Sequence, residues 1–156
     1  MDLELELVAY DSDAAQEILA EVQAELTVRY GGPDETPVDA AEFAPPRGVF
    51  AVVRRDGEVV GCAALRPHGD GDVELKRMFV RAAHRRTGVA RRLLALLEDR
   101  AREAGYRRLI LETGLEQPEA IALYESAGYL SIPGFGYYAA ESLSRSYAKE
   151  LAALDP

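Results

Sequence analysis

Val73-Glu-Leu-Lys-Arg-Met-Phe-Val80, Arg81-Ala-Ala-His84, Arg85-Arg-Thr-Gly-Val-Ala90 and Arg91-Arg-Leu-Leu-Ala-Leu-Leu97 read in succession as a strand, a basic glycine turn and a helix. Val89, Leu93, Leu96, Leu97 and Ala101 recur at helical spacing while Arg91, Arg92, Asp99 and Arg102 take the other side, which predicts a helix beginning near Thr87. The first amides of a helix have no partner within it and carry partial positive charge, and a glycine among them lets an anion approach the backbone. Arg85 and Arg86 add full charges beside Gly88. The stretch from Arg85 through Thr87, Gly88 and Val89 to Ala90 therefore predicts a site for a phosphate-bearing ligand.

Missing features narrow the ligand. A Walker loop needs Lys-Ser/Thr after its second glycine, and a dinucleotide fold needs Gly-x-Gly-x-x-Gly after its strand; neither occurs here. Arg85-x-x-Gly88-x-Ala90 instead resembles the pyrophosphate-binding motif, Gln/Arg-x-x-Gly-x-Gly/Ala, of the GNAT superfamily of acetyl-coenzyme A dependent N-acetyltransferases. It follows a strand of the family's Leu-x-x-Leu-x-Val type that ends at Val80. Gln117-Pro-Glu-Ala-Ile-Ala-Leu-Tyr124-Glu-Ser-Ala-Gly128-Tyr129 resembles the family's later motif, Asn-x-x-Ala-x-x-Leu-Tyr-x-x-x-Gly-Phe. The departures are Gln117 for Asn, Ala90 for the commoner Gly and Tyr129 for Phe. The resemblance runs from near Val49 to Leu151.

The resemblance implies an α/β fold: one three-layer domain over residues 1–156, a mixed and mostly antiparallel sheet with a splayed parallel central strand pair, and flanking helices. It implies an acetyl-coenzyme A dependent N-acetyltransferase acting by direct attack of a primary amine, on a small molecule or a peptide. Met78, Phe79 and Val80 are expected to hold the pantetheine arm and Gln117 to contact the same cosubstrate. Glu74, six residues before Val80, matches the base glutamate of the family's histone acetyltransferases. A carboxylate in a central strand is also costly unless it serves an opening, with an ion pair to Lys76 or Arg77 as the alternative. Tyr124 is expected to protonate the departing thiolate. A coenzyme A binding module without catalysis and a transferase for a longer acyl group are the competing readings. No metal is implied, and a homodimer is left open.

Composition bounds the rest. A chain of 156 residues fits one domain that buries roughly 68 to 70% of its unfolded surface. The net charge of -9 argues against nucleic acid or anionic membrane as partner. Of the 18 basic residues, 11 lie between Lys76 and Arg108, one positive sector on an acidic protein. The single Cys62 excludes an internal disulfide and fits a reducing, cytoplasmic setting; flanked by apolar residues, it reads as packing. Met1-Asp-Leu-Glu-Leu-Glu is unlike a signal peptide, and no apolar run suits a membrane span.

In chain order, Leu3, Leu5 and Leu7 alternate with Glu4 and Glu6 as a half-buried strand, and a helix follows from Ala14 to near Arg29, capped at Asp11-Ser-Asp. Asp34 to Arg47 reads as a loop with a short helical turn. Asp56-Gly57 closes a hairpin between Gly48–Arg55 and Glu58–Arg66. His68 reads as a surface turn residue. Strands are expected from Arg107 to Gly114, at Tyr129–Ile132 and from Ser142 to Leu151. The acceptor is expected between the Tyr30–Arg47 segment, with Asp34, Glu35, Asp39 and Glu42, and the aromatic Phe135–Tyr138 loop; Arg47 or Arg66 could bind an acceptor's carboxylate.

Overall fold

The computed structural model describes residues 2–152; residues 1 and 153–156 of the expected domain lie outside the described residues. Seven strands form one sheet: β1 (Leu3–Leu7), β2 (Val49–Arg55), β3 (Glu58–His68), β4 (Asp72–Val80), β5 (Arg108–Gly114), β6 (Leu130–Ile132) and β7 (Ser144–Glu150). Their order is β1-β2-β3-β4-β5-β7-β6, with every neighbouring pair antiparallel except β4 and β5. That one parallel pair follows from the helix between them, because parallel neighbours need a crossover rather than a tight turn. The crossover is α2 (Val89–Glu103).

The three layers follow from the alternation of the strands. Val73, Leu75, Leu109 and Leu111 point to one face, where they meet Val89, Leu93, Leu97 and Ala101 of α2 and Tyr124 of α3 (Pro118–Ser126). Phe50, Val52, Cys62 and Ala64 point to the other, under Ala15, Ile18, Leu19 and Val22 of α1 (Asp13–Tyr30). Cys62 is buried there, and burial pushes its thiol up to about 12, so it packs rather than reacts. Ser12 caps α1 through the Ala15 amide at 3.3 Å, and Gly31 ends it with φ 82°.

Several local expectations shift. The second helix begins at Val89, not near Thr87, because Gly88 takes φ 87° and ends the turn before it. His68 ends β3 rather than sitting in a turn, with its ring edge-on to Phe135 at 5.2 Å. The short helical turn between Asp34 and Arg47 is a 3-10 turn, Ala40–Phe43, closed by a capping box between Asp39 and Glu42. Asp56 (φ 52°) and Gly57 (φ 86°) make the tight hairpin turn as their sequence predicts. Among the described residues, no helix is long and apolar enough to cross a membrane.

Candidate active site

The pairing of β4 with β5 runs from Asp72 opposite Arg108 to Leu75 opposite Leu111 and stops, although β4 continues to Val80 and β5 to Gly114. The local cause is a bulge. Arg77 takes φ 55° and the β3–β4 register shifts between Cys62 and Ala64, which bends β4 away from β5. The unusual backbone at Arg77 is held by its side chain, which donates to the Tyr10 hydroxyl and to Asp34 Oδ2.

Past the bulge, the Arg81 amide bonds the Val60 carbonyl at 2.7 Å and Val80 lies opposite Gly61. By the alternation of antiparallel pairing, the amides of Met78 and Val80 then point away from β3, into the gap. The gap opens a cleft of about 560 Å³ lined by residues that include Tyr30, Asp34, Lys76, Met78, Phe79, Glu112, Gln117, Tyr124 and Tyr138.

The glycine turn adjoins β4. Gly88 is exposed, no side chain caps α2, and the helix's first bond is from Arg92 to the Gly88 carbonyl at 3.1 Å. Among the described residues, no acceptor takes the amides of Gly88, Val89, Ala90 or Arg91. Thr87 pins the turn by donating to the His84 carbonyl at 2.6 Å and accepting from Arg55 at 3.1 Å. The two arginines that sequence paired here separate. Arg85 turns inward, donating to the Val80 carbonyl at 2.7 Å and to Glu25 at 2.6 Å, whereas Arg86 is exposed and makes no ion pair among the described residues.

On the far wall, Tyr124 is 7% exposed and its ring lies edge-on to Tyr129 at 5.6 Å. Its hydroxyl makes no hydrogen bond among the described residues, and burial pushes its pKa up, so it stays a proton donor at alkaline pH. Gln117 begins α3 with Pro118 in its first turn and donates from Nε2 to the Tyr30 hydroxyl at 3.1 Å.

Glu74 stands elsewhere. It is 2% exposed, accepts from Arg66 Nε at 2.8 Å and lies 3.9 Å from Lys76, and it does not line the cleft. Five carboxylates do, Glu25, Asp34, Glu35, Glu112 and Glu141, and the one on a central strand is Glu112, one strand over. Both its oxygens are buried and accept no hydrogen bond among the described residues, and a side chain at Gly136 would collide with them. Burial raises the pKa of Glu112 and the charges of Glu74 and Asp34 add to it, while Lys76 and the nearby Tyr138 amide, which falls short of hydrogen-bond geometry, pull the other way. Glu112 carries the same sequence signal as Glu74, a carboxylate in a central strand, at the end of the apolar run Leu109-Ile-Leu.

The two segments expected around the acceptor do meet: the Glu35 amide donates to the Tyr138 hydroxyl at 2.6 Å. Asp34 lies beneath. Burial alone would raise its carboxyl, but Lys76, two hydrogen bonds from Thr36 and Arg77 outweigh it and hold it below the usual range.

Residues 15–129 match the Acetyltransferase (GNAT) family. The chain is 39% identical over 140 residues to the IAA acetyltransferase of Azospirillum brasilense, covering 89% of this chain and 92% of that one. The crystal structure of a Klebsiella pneumoniae protein assigned as an acyl-CoA N-acyltransferase superposes with a TM-score of 0.79 at 29% identity, over 96% of this chain and 98% of that one. A GNAT family acetyltransferase from Elizabethkingia anophelis, solved with acetyl-CoA bound, has the same fold with a TM-score of 0.70 at 16% identity, covering 96% and 98%.

Proposed function

Because the chain belongs to the GNAT family of acetyltransferases, we propose that it moves an acetyl group from acetyl-coenzyme A to a primary amine by direct attack. The observation that supports this most is the meeting, in one cleft, of a splayed strand pair with inward amides, a carboxylate and an unengaged phenol. Acetyl-coenzyme A supplies the activated thioester. The rest is done by this chain. The free amides from Gly88 to Arg91, with Arg86 beside them, suit a pyrophosphate, and the amides of Met78 and Val80 suit the amide-bearing pantetheine arm and the charge that develops on a reacting carbonyl oxygen.

A primary amine of pKa about 10.4 is neutral in roughly one molecule in a few thousand at pH 7, a cost of about 4 to 5 kcal/mol before attack. Glu112 is the group we assign to remove that proton, directly or through water: its oxygens lack partners and its pKa is raised toward the working range. Glu74, engaged by Arg66, is assigned to holding β4 and β3 together. Tyr124 is assigned as the acid that protonates the departing thiolate. Its raised pKa keeps the proton available, and the hydroxyl has no competing partner. Together Glu112 and Tyr124 favour an enzyme over a binding module.

A thiol-release assay with acetyl-coenzyme A across amine classes tests the reading; no release with any amine would sink it. Comparing acetyl with longer acyl thioesters decides whether Phe79 and its surroundings limit chain length. Tyr124→Phe is expected to lower kcat by about 100-fold while the dissociation constant for acetyl-coenzyme A, measured by calorimetry, stays within a few-fold. A large loss of affinity with kcat preserved would place the phenol in binding instead.

A further inference from the structure

Lys76 and Glu112 follow the last paired rung, Leu75 opposite Leu111, so they are cross-strand neighbours on one face at the mouth of the gap. In a closed ladder strands this close, about 4.8 Å apart, would let such a pair meet. Here no ion pair joins them among the described residues. Lys76 has a side chain only 7% exposed, yet its Nζ makes no hydrogen bond among the described residues; its carboxylate neighbours are Asp34 Oδ2 at 3.7 Å and Glu74 Oε2 at 3.9 Å. Those carboxylates already serve Thr36, Arg77 and Arg66. A buried ammonium has three protons to place, and a buried carboxylate without donors is costly. Lys76 therefore holds its two ion pairs only at long range, Glu112 accepts no hydrogen bond among the described residues, and both residues line the cleft.

Resting on the acetyl-transfer reading above, we infer that the acceptor is a zwitterion of the α-amino acid class, with Lys76 binding its carboxylate and Glu112 receiving its amine. The other candidate cations are committed or remote. Arg66 bonds Glu74, the Pro37 carbonyl at 3.1 Å and Glu42 at 3.3 Å. Arg47 lines a separate hollow of about 280 Å³ with Pro45, Pro46 and Tyr106. A polyamine or aminoglycoside would suit the carboxylates of the lining, Glu25, Asp34, Glu35, Glu112 and Glu141, but offers no anion to Lys76 and Arg77. A zwitterion adds no net charge and completes both groups. If Asp34 and Glu74 satisfied Lys76 fully, the protein would be indifferent to a carboxylate on the acceptor.

The test is thiol release at saturating acetyl-coenzyme A with matched sets of three acceptors: an α-amino acid, its carboxamide and the amine left by decarboxylation. The amino acid is expected to exceed both in kcat/KM by roughly ten- to a hundredfold, the worth of a charged hydrogen bond. The carboxamide's less basic amine favours it chemically, so the preference could not come from amine basicity. In Lys76→Met the preference should vanish through a raised KM for the amino acid, and Lys76→Arg should restore part of it. If Lys76→Met fails to fold, the three-way comparison on the unsubstituted protein decides alone. Amines without a carboxylate that react as well as or better than amino acids overturn the inference and leave acetyl transfer standing. A panel in which no amine of any kind is acetylated overturns both.

Discussion

Glu112→Gln is expected to lower kcat by about 10²- to 10⁴-fold at neutral pH, the usual worth of a positioned general base. Only the ionised carboxylate can take a proton, and burial raises its pKa, so the activity of the unsubstituted protein should fall as pH drops through that raised value. In the variant this limb disappears, and the residual rate climbs with pH as the amine deprotonates unaided. Stability moves the other way. A carboxyl whose folded pKa lies above its unfolded one favours the fold below the unfolded pKa and loses that contribution as pH rises through the folded pKa. At neutral pH the ionised Glu112 is a cost, so the melting temperature of Glu112→Gln should hold or rise. Glu74→Gln should do the reverse, losing about 3 to 5 kcal/mol of stability by leaving the Arg66 guanidinium without its buried partner. Turnover of its folded fraction should stay close to that of the parent. A rate lost at Glu74 and kept at Glu112 would exchange the two assignments.

Gly88→Asp is expected to weaken acetyl-coenzyme A binding by roughly a hundredfold or more, since a carboxylate would face a phosphate at close range. The fold should survive, because Asp tolerates the left-handed backbone that Gly88 adopts better than most residues do. Gly88→Asn separates the causes: it matches the shape of Asp without its charge, so it should lose much less. Calorimetry with circular dichroism on all three proteins reads both affinity and fold. Equal affinity in parent and Asp variant would remove the turn from the binding site.

The fold was legible because its determinants are local or periodic. Alternation gave the strands their faces, helical spacing gave α2 its buried stripe, and the intervening helix dictated the parallel β4–β5 pair. The site was legible where it is made of backbone: a glycine at a helix start predicts free amides whatever surrounds it, and Gly88 to Arg91 have them. Side-chain assignments depended on partners that only tertiary structure supplies. Nothing in the sequence near Arg85 announces Glu25, sixty residues earlier, as the group that draws its guanidinium inward. Nothing near Glu74 announces Arg66. Nor does any glycine mark the bulge, since the residue with positive φ is Arg77, held there by Asp34 and Tyr10 from distant segments. Burial selects both Glu74 and Glu112, and only the packing of Arg66 against one and Gly136 against the other tells them apart.

The gap beyond Leu75 and Leu111 has a thermodynamic side. It is a sheet edge enclosed within the sheet, where two strands forgo the ladder bonds they would make if they stayed adjacent. A ligand with its own peptide-like amides can act there as a missing rung, so ligand binding and sheet completion become one equilibrium. The melting temperature of this protein should then be a function of acetyl-coenzyme A concentration, with about 2.7 kcal/mol added at a hundredfold excess over the dissociation constant. Stripped of ligand, the chain reports the stability of a sheet with one rung left out.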